Sequence, residues 1–333
     1  MTHDAPSRTS STPDSVARAH AAAPAGAGYL ISRATKPIIH RAVCSLIVMA
    51  AGFQPAAAQG TGRVGTVIVA HGGDSLWNSR VLDVATAART SGPVEVSFLM
   101  GPAAQRTRFQ DAVARLRTQN VTEVVVVPML VSSYSGHYDQ IRWLAGENIA
   151  LDTTMMHHLH MSGITRPAAG VPIRLARAMD DASQVGRVLA DRALALTREP
   201  RDRALFIVGH GPNSAEDYAA WMKNLRPVAD SVKRMTGFRD VRVDLVRDDA
   251  PAEVRAEAVR RMRELIELQH LITGREVIVV PVLVSKGTVS RDRVPADLAG
   301  LPVVYAGEPL LPHPAMARWV EERVRTIRHA PQR

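Results

Sequence analysis

Eight short apolar runs recur along the chain: VGTVIVA (64–70), VEVSFLM (94–100), VTEVVVVPML (121–130), VPIRLA (171–176), ALFIVG (204–209), VRVDLV (241–246), EVIVVPVLV (276–284) and LPVVYA (301–306). Between them lie segments with helical spacing, such as FQDAVARLRTQ (109–119) and AEVRAEAVRRMRELIEL (252–268). Strands that alternate with helices in this way predict parallel sheets with covering helices.

The second four runs match the first four element by element. His71 pairs with His210 at an offset of 139, Pro128–Ser132 with Pro281–Ser285 at 153, and Pro172 with Pro302 at 130. Both Pro-x-Leu-Val-Ser stretches read alike, which two unrelated domains would not produce. The fold class predicted is therefore α/β, with two similar lobes, each a parallel four-stranded sheet flanked by helices, meeting at an interlobe cleft. Lobe 1 is expected over residues 61–200, with an insertion at about 147–170, and lobe 2 over 201–333.

Residues 1–60 read as an address and not as part of either lobe. A stretch rich in Ala, Ser, Thr and Pro is followed by RATKPIIHR, then the apolar run Ala42–Phe53, then an Ala-x-Ala site at Ala56–Ala58. That order predicts a disordered N-terminus plus a signal peptide cleaved near Ala58, with the mature protein exported to the periplasm and holding no stable membrane anchor. A leader that does not function would leave the protein in the cytoplasm. Cys44 is the single cysteine and lies within the leader, so disulfides, thiolate metal sites and cysteine nucleophiles are excluded from the mature chain. The net charge is +9, yet it is spread without dense Lys/Arg blocks, which favours an acidic small molecule over nucleic acid. No oligomeric state follows from the sequence.

Two strands end on a titratable ring: VIVAHGG at His71 and ALFIVGHG at His210. In parallel sheets, ligands bind beyond the carboxyl ends of the strands, and a following glycine lets the chain turn away sharply. PMLVSSYSGHYDQ places His137 nine residues after Pro128, at the end of the third strand. Strands one and three are commonly adjacent, so His71 and His137 are expected to face each other as a site for a divalent metal such as Co, Ni, Fe or Zn. The insertion holds TMMHHLHMSG, whose His157, His158 and His160 suggest an accessory, mobile metal-collecting loop, the alternative being a lid over the cleft whose methionines touch an apolar ring face. His313 is expected to begin the last helix. Esterase, phosphohistidine and nucleotide chemistry are set aside, since there is no Gly-x-Ser-x-Gly elbow, no Arg before either His-Gly, and no P-loop or Gly-x-Gly-x-x-Gly after a strand.

The stretches VIVAHGG and PMLVSSYSGHYDQI resemble the class II tetrapyrrole chelatases of the sirohydrochlorin cobaltochelatase/ferrochelatase (CbiX/SirB) type, over about Val64 to Arg328 in two-lobe form. The resemblance implies ATP-independent insertion of a divalent metal into a sirohydrochlorin-like anionic tetrapyrrole bound in the cleft. Co²⁺ is the first candidate, with Fe²⁺ or Ni²⁺ as alternatives. It also implies that His71 and His137 hold the metal and take the pyrrole protons, with His210, Tyr134, Arg142 and Lys286 as candidate substrate-binding residues. Arg291 and Arg293 follow the third strand of lobe 2 and are further candidates to meet substrate carboxylates. Relatives often carry a glutamate directly after the second strand, where this chain has Met100. Asp74, Asp139 or an insertion residue is then left to substitute. Lobe 2 has Ser290 where lobe 1 has His137, so one complete histidine pair is expected. The alternative function is an exported, non-catalytic binder of metal or tetrapyrrole, acting as carrier, scavenger or sensor.

Overall fold

The computed structural model describes residues 62–330, Ala169 apart; the expected leader, with its expected cleavage near Ala58, lies outside the described residues. Lobe 1 runs β1 (Val64–Ala70), α1 (Ser75–Ala87), β2 (Val94–Phe98), α2 (Phe109–Thr118), β3 (Glu123–Met129), α3 (Gly136–Leu144), α4 (Thr153–Met161), β4 (Ile173–Leu175) and α5 (Ser183–Leu194). Lobe 2 runs β5 (Ala204–Gly209), α6 (Ala215–Thr236), β6 (Asp240–Leu245), α7 (Ala252–Thr273), β7 (Val277–Val282), α8 (Val294–Leu298), β8 (Val303–Tyr305) and α9 (Pro314–His329).

Each lobe holds one four-stranded parallel sheet, in the orders β2-β1-β3-β4 and β6-β5-β7-β8. The central strands β1, β5 and β7 are buried along their whole length, as expected where helices cover both faces of a parallel sheet. Register agrees between lobes: Val69 lies opposite Pro128 and Val208 opposite Pro281. Proline is accommodated there because the adjacent residues carry the ladder.

Two outer cores serve one lobe each, but the largest cluster joins them. It contains Ile68, Val125 and Met129 of lobe 1, Ile207 and Val280 of lobe 2, and Leu189, Leu225, Val232 and Trp319 from α5, α6 and α9. The boundary expected at 200/201 separates the sheets but not their packing. Helix α5, from lobe 1, packs on β7, and α9, from lobe 2, packs on β3 and α1. Each lobe thus covers its inner sheet face with the other's last helix. Polar bonds reinforce the joint: Asn224 donates to Asp180 (3.2 Å), the Trp221 indole to the Tyr134 carbonyl, Arg323 to the Ala178 carbonyl (3.0 Å), and Asp74 pairs with Arg291 (3.2 Å). No helix among the described residues is long and apolar enough to cross a membrane.

Trp319 is the largest fully buried side chain and sits at this joint. Replacing it with alanine should cost about 3–5 kcal/mol, read as a lowered urea midpoint. Both lobes should still unfold in one transition, because the core they share is one cluster.

Candidate functional site

His71 follows the last residue of β1, and Gly72 turns the chain away at φ +94°. A Cβ at Gly72 would lie 2.3 Å from the Met100 carbonyl oxygen, so the approach of the two backbones requires glycine there. The Met100 amide donates to the His71 carbonyl (2.8 Å), carrying the β1–β2 ladder past the strand ends. The His71 ring bonds through Nδ1 to the Gly72 carbonyl at 2.7 Å. A carbonyl only accepts, so Nδ1 holds the proton and Nε2 keeps its lone pair.

His137 arrives by a different route to the same rim. β3 pairs with β1 so that Met129 lies opposite Ala70, and the chain then crosses to α3. Ser135 caps that helix by accepting from the Tyr138 amide (3.2 Å), which sets His137 in its first turn. The His137 Nδ1 donates to Gln140 Oε1 (2.8 Å), while Gln140 Nε2 donates to the Met155 carbonyl (2.6 Å). The second bond fixes the amide's orientation, and hence the imidazole tautomer: His137, like His71, keeps Nε2 free. The two rings meet edge to face with centroids 4.6 Å apart.

Both rings are held neutral. Burial pushes His71 below the ordinary imidazole range, against the pull of the Gly72 carbonyl, and the nearby His210 adds to the downward push. Burial and then the neighbouring His71 push His137 down to about 4. Its place in the first turn of α3, where helix dipoles disfavour a cation, acts in the same direction.

His210, the counterpart of His71, is shifted the opposite way. Its Nδ1 bonds to the Gly211 carbonyl (2.8 Å) and its Nε2 lies 3.1 Å from Asp249. Both nitrogens face acceptors, an arrangement that favours the protonated ring. Burial opposes the charge, but the bonds to Asp249 and Gly211 outweigh it and raise the pKa. The bond from His210 in turn lowers Asp249. Ligand atoms of His210, Asp248 and Asp249 lie within 4.8 Å of one another. Asp248, however, is buried against two guanidinium groups, Arg255 (3.2 Å) and Arg293, so its charge is already compensated.

Several predicted residues sit elsewhere or are otherwise engaged. Tyr134 exposes its ring and gives its carbonyl to Trp221. Arg142 pairs with Asp139 (2.9 Å) and Glu147 (2.8 Å), and Lys286 with Glu308 (2.8 Å). Met100 packs against the outer core of lobe 1. Asp74 caps α1 and pairs with Arg291, so neither Asp74 nor Asp139 is a free substitute for the missing glutamate. Ser290, in a π-helical turn at Val289–Arg293, uses its hydroxyl on the Gly287 backbone. His313 caps α9 through the Ala315 amide.

The stretch expected to be a loop is the helix α4, with Asp152 as its cap. Helical spacing leaves His157 and His160 exposed and turns His158 toward His137, with ring centroids 6.3 Å apart and near-parallel planes. Sequence reasoning missed Gln140 and Asp249. Gln140 had a signal, since it stands three residues after His137 on the same helical face. Asp249 had none.

The CbiX family model matches residues 65–196, from β1 through α5. Over that stretch lobe 1 is similar to the CbiX family, and the chain as a whole has an α/β, chelatase-like fold of two four-stranded parallel sheets. Among solved structures it is similar to SirB from Bacillus subtilis with Fe³⁺, at 15% identity and TM-score 0.56, covering 80% of this chain and 96% of that one. SirB from Bacillus subtilis subspecies spizizenii in complex with cobalt is 15% identical with TM-score 0.54, covering 81% and 97%. A multi-domain protein from Deinococcus radiodurans with structural similarity to chelatases is 20% identical with TM-score 0.51, covering 79% of this chain and 55% of its own. At these identities the likeness is one of fold. No curated protein matches the sequence.

In this chelatase-like cleft the twin histidines should leave opposite marks on pH dependence. Unfolded imidazoles titrate near about 6.5, so below that pH the unfolded chain binds protons that folded His137 refuses until about 4. Stability should therefore be fully present above pH 6.5 and fall as pH drops toward 4, by up to about 3 kcal/mol from this residue. Urea unfolding of His137→Gln should show a flatter slope across that window. For His210, Asp249→Asn should move the ring's NMR titration midpoint downward, since the carboxylate is what sustains its charge.

Proposed function

We propose that the rim of lobe 1 inserts a divalent metal, cobalt or iron, into a sirohydrochlorin-like tetrapyrrole without ATP. One observation carries the reading: His71 and His137 are a neutral pair 4.6 Å apart, each with Nδ1 committed to the protein and Nε2 left as a donor. A metal bound at about 2.0–2.1 Å from each nitrogen needs the two nitrogens roughly 3–3.5 Å apart, a span that rings with centroids 4.6 Å apart can reach by turning.

Insertion requires the macrocycle to lose two N–H protons as the ion arrives. An ion leaving two imidazoles frees two lone pairs, which accept those protons, and the charge of the site is conserved. His137, with its low proton affinity, then passes its proton on readily. His210, whose proton affinity Asp249 raises, is suited to hydrogen-bond a substrate carboxylate and not to hold the metal. The net charge of +9 and the absence of a P-loop fit a polyanionic substrate and a reaction without nucleotide. The Bacillus SirB structures described with Fe³⁺ and with cobalt support both metals as candidates. The predicted leader extends the proposal to a periplasmic location.

A second reading has one specific support. The carboxylate position after β2 holds Met100, which neither accepts a proton nor binds hard ions well. A protein of this shape that binds tetrapyrrole or metal without exchanging them would be a carrier, scavenger or sensor.

Mixing the protein with sirohydrochlorin and Co²⁺ and following absorbance separates the two. The chelatase reading predicts a rate above the uncatalysed reaction, with His71→Ala and His137→Ala each reducing it by roughly a hundredfold or more. Pigment binding with an uncatalysed rate establishes the carrier instead.

A further inference from the structure

The His71–His137 pair offers two nitrogens, whereas protein sites for such ions commonly supply three ligands, and the structure points to the insertion for the third. We propose that His158 of α4 is that donor, giving an all-imidazole site of His71, His137 and His158. The inference rests on the metal-binding part of the reading above and deepens it by naming the ligand set.

Four observations carry it. The His158 ring lies near-parallel to His137, with ring centroids 6.3 Å apart. Its Nδ1 is buried and has no hydrogen-bond partner among the described residues, a costly state for a polar atom unless something binds there. Helix α4 is tied to His137 itself, because the buried Gln140 side chain bridges His137 Nδ1 and the Met155 carbonyl. Finally, Leu159 is fully buried in the outer core, and Met155 rests on Gly136, where a Cβ would lie 2.8 Å from its sulfur. The helix is therefore docked against α3 at the residue next to His137, and its neighbours His157 and His160 point into solvent.

The three nitrogens do not yet converge in the structure. His71 and His137 meet, and His158 closes by turning its unpartnered ring inward, which breaks no hydrogen bond. Three neutral imidazoles leave the full 2+ charge on the ion, where a carboxylate ligand would have cancelled half of it. Nitrogen donors of this kind favour Co²⁺, Ni²⁺ or Zn²⁺ over Mg²⁺ or Mn²⁺, which prefer oxygen. The ion stays strongly attractive to a macrocycle losing its protons. The insertion thus sets which metal is accepted.

The test uses the full-length protein and Co²⁺ alone, with no tetrapyrrole, so its outcome is independent of whether the protein catalyses insertion. Co²⁺ is titrated at pH 7 and followed by its visible d–d absorption and by calorimetry. His158→Ala and His158→Gln should each weaken binding by roughly tenfold or more, a loss that even outer-shell substitutions reach, and should shift the visible band. The double variant H157A/H160A should bind like the natural protein. Thermal melting without metal identifies any variant that has merely unfolded, and the Gln variant keeps the side chain's bulk. Unchanged affinity in both His158 variants, an equal loss in H157A/H160A, or no Co²⁺ binding by the natural protein would each overturn the proposal.

Discussion

The cleft chemistry depends on the pairing of β1 with β3, which sets Ala70 opposite Met129 and so ends both strands at one rim. His71 follows the first strand at once, while His137 comes back to the rim on the first turn of α3. A shift of one residue in that pairing would turn every β3 side chain to the other face of the sheet and carry the α3 cap away from His71. The register is protected by burial, since β1 and all but the first residue of β3 are buried, and a slip would bring polar Glu123 inward. Core packing and the meeting of the two histidines thus share one constraint.

Twin positions in the two lobes have diverged through single contacts. His71 and His210 have the same strand, the same following glycine and the same Nδ1 bond to a backbone carbonyl. The difference is Asp249, which faces the second nitrogen in lobe 2 and raises the proton affinity of that ring. A symmetric scaffold thereby becomes an asymmetric cleft, with two neutral imidazoles on one wall and a histidine–carboxylate pair on the other. The exchange of α5 and α9 between lobes keeps these walls in fixed relation, because moving one sheet means dragging the helix that covers the other.

Much of this was legible in the sequence, and the reasons are physical. Apolar runs ending in His-Gly mark strand ends, and the strand bounds match the runs to within two residues, the short edge strands included. Adjacency of the first and third strands follows from ordinary α/β topology, so the meeting of His71 and His137 was within reach. Contacts that depend on side-chain direction were not. Arg142 and Lys286 follow third strands, but intrahelical and loop carboxylates claim them first. TMMHHLHMSG has the composition of a loop that gathers metal; Asp152 caps it and Leu159 anchors it as a helix, so one histidine in three faces the site. The exchange of terminal helices leaves no trace in hydropathy, since an apolar helix face reads alike whichever sheet it covers.

The central claim is that a metal binds on the lobe 1 wall, at the neutral histidine pair, and not at the acidic group across the cleft. Crystals of the full-length protein loaded with Co²⁺, with anomalous data collected at the cobalt edge, address it directly. The account predicts one dominant peak at about 2.1 Å from Nε2 of both His71 and His137. A peak held by His210, Asp248 and Asp249, with His71 and His137 left bare, would contradict it.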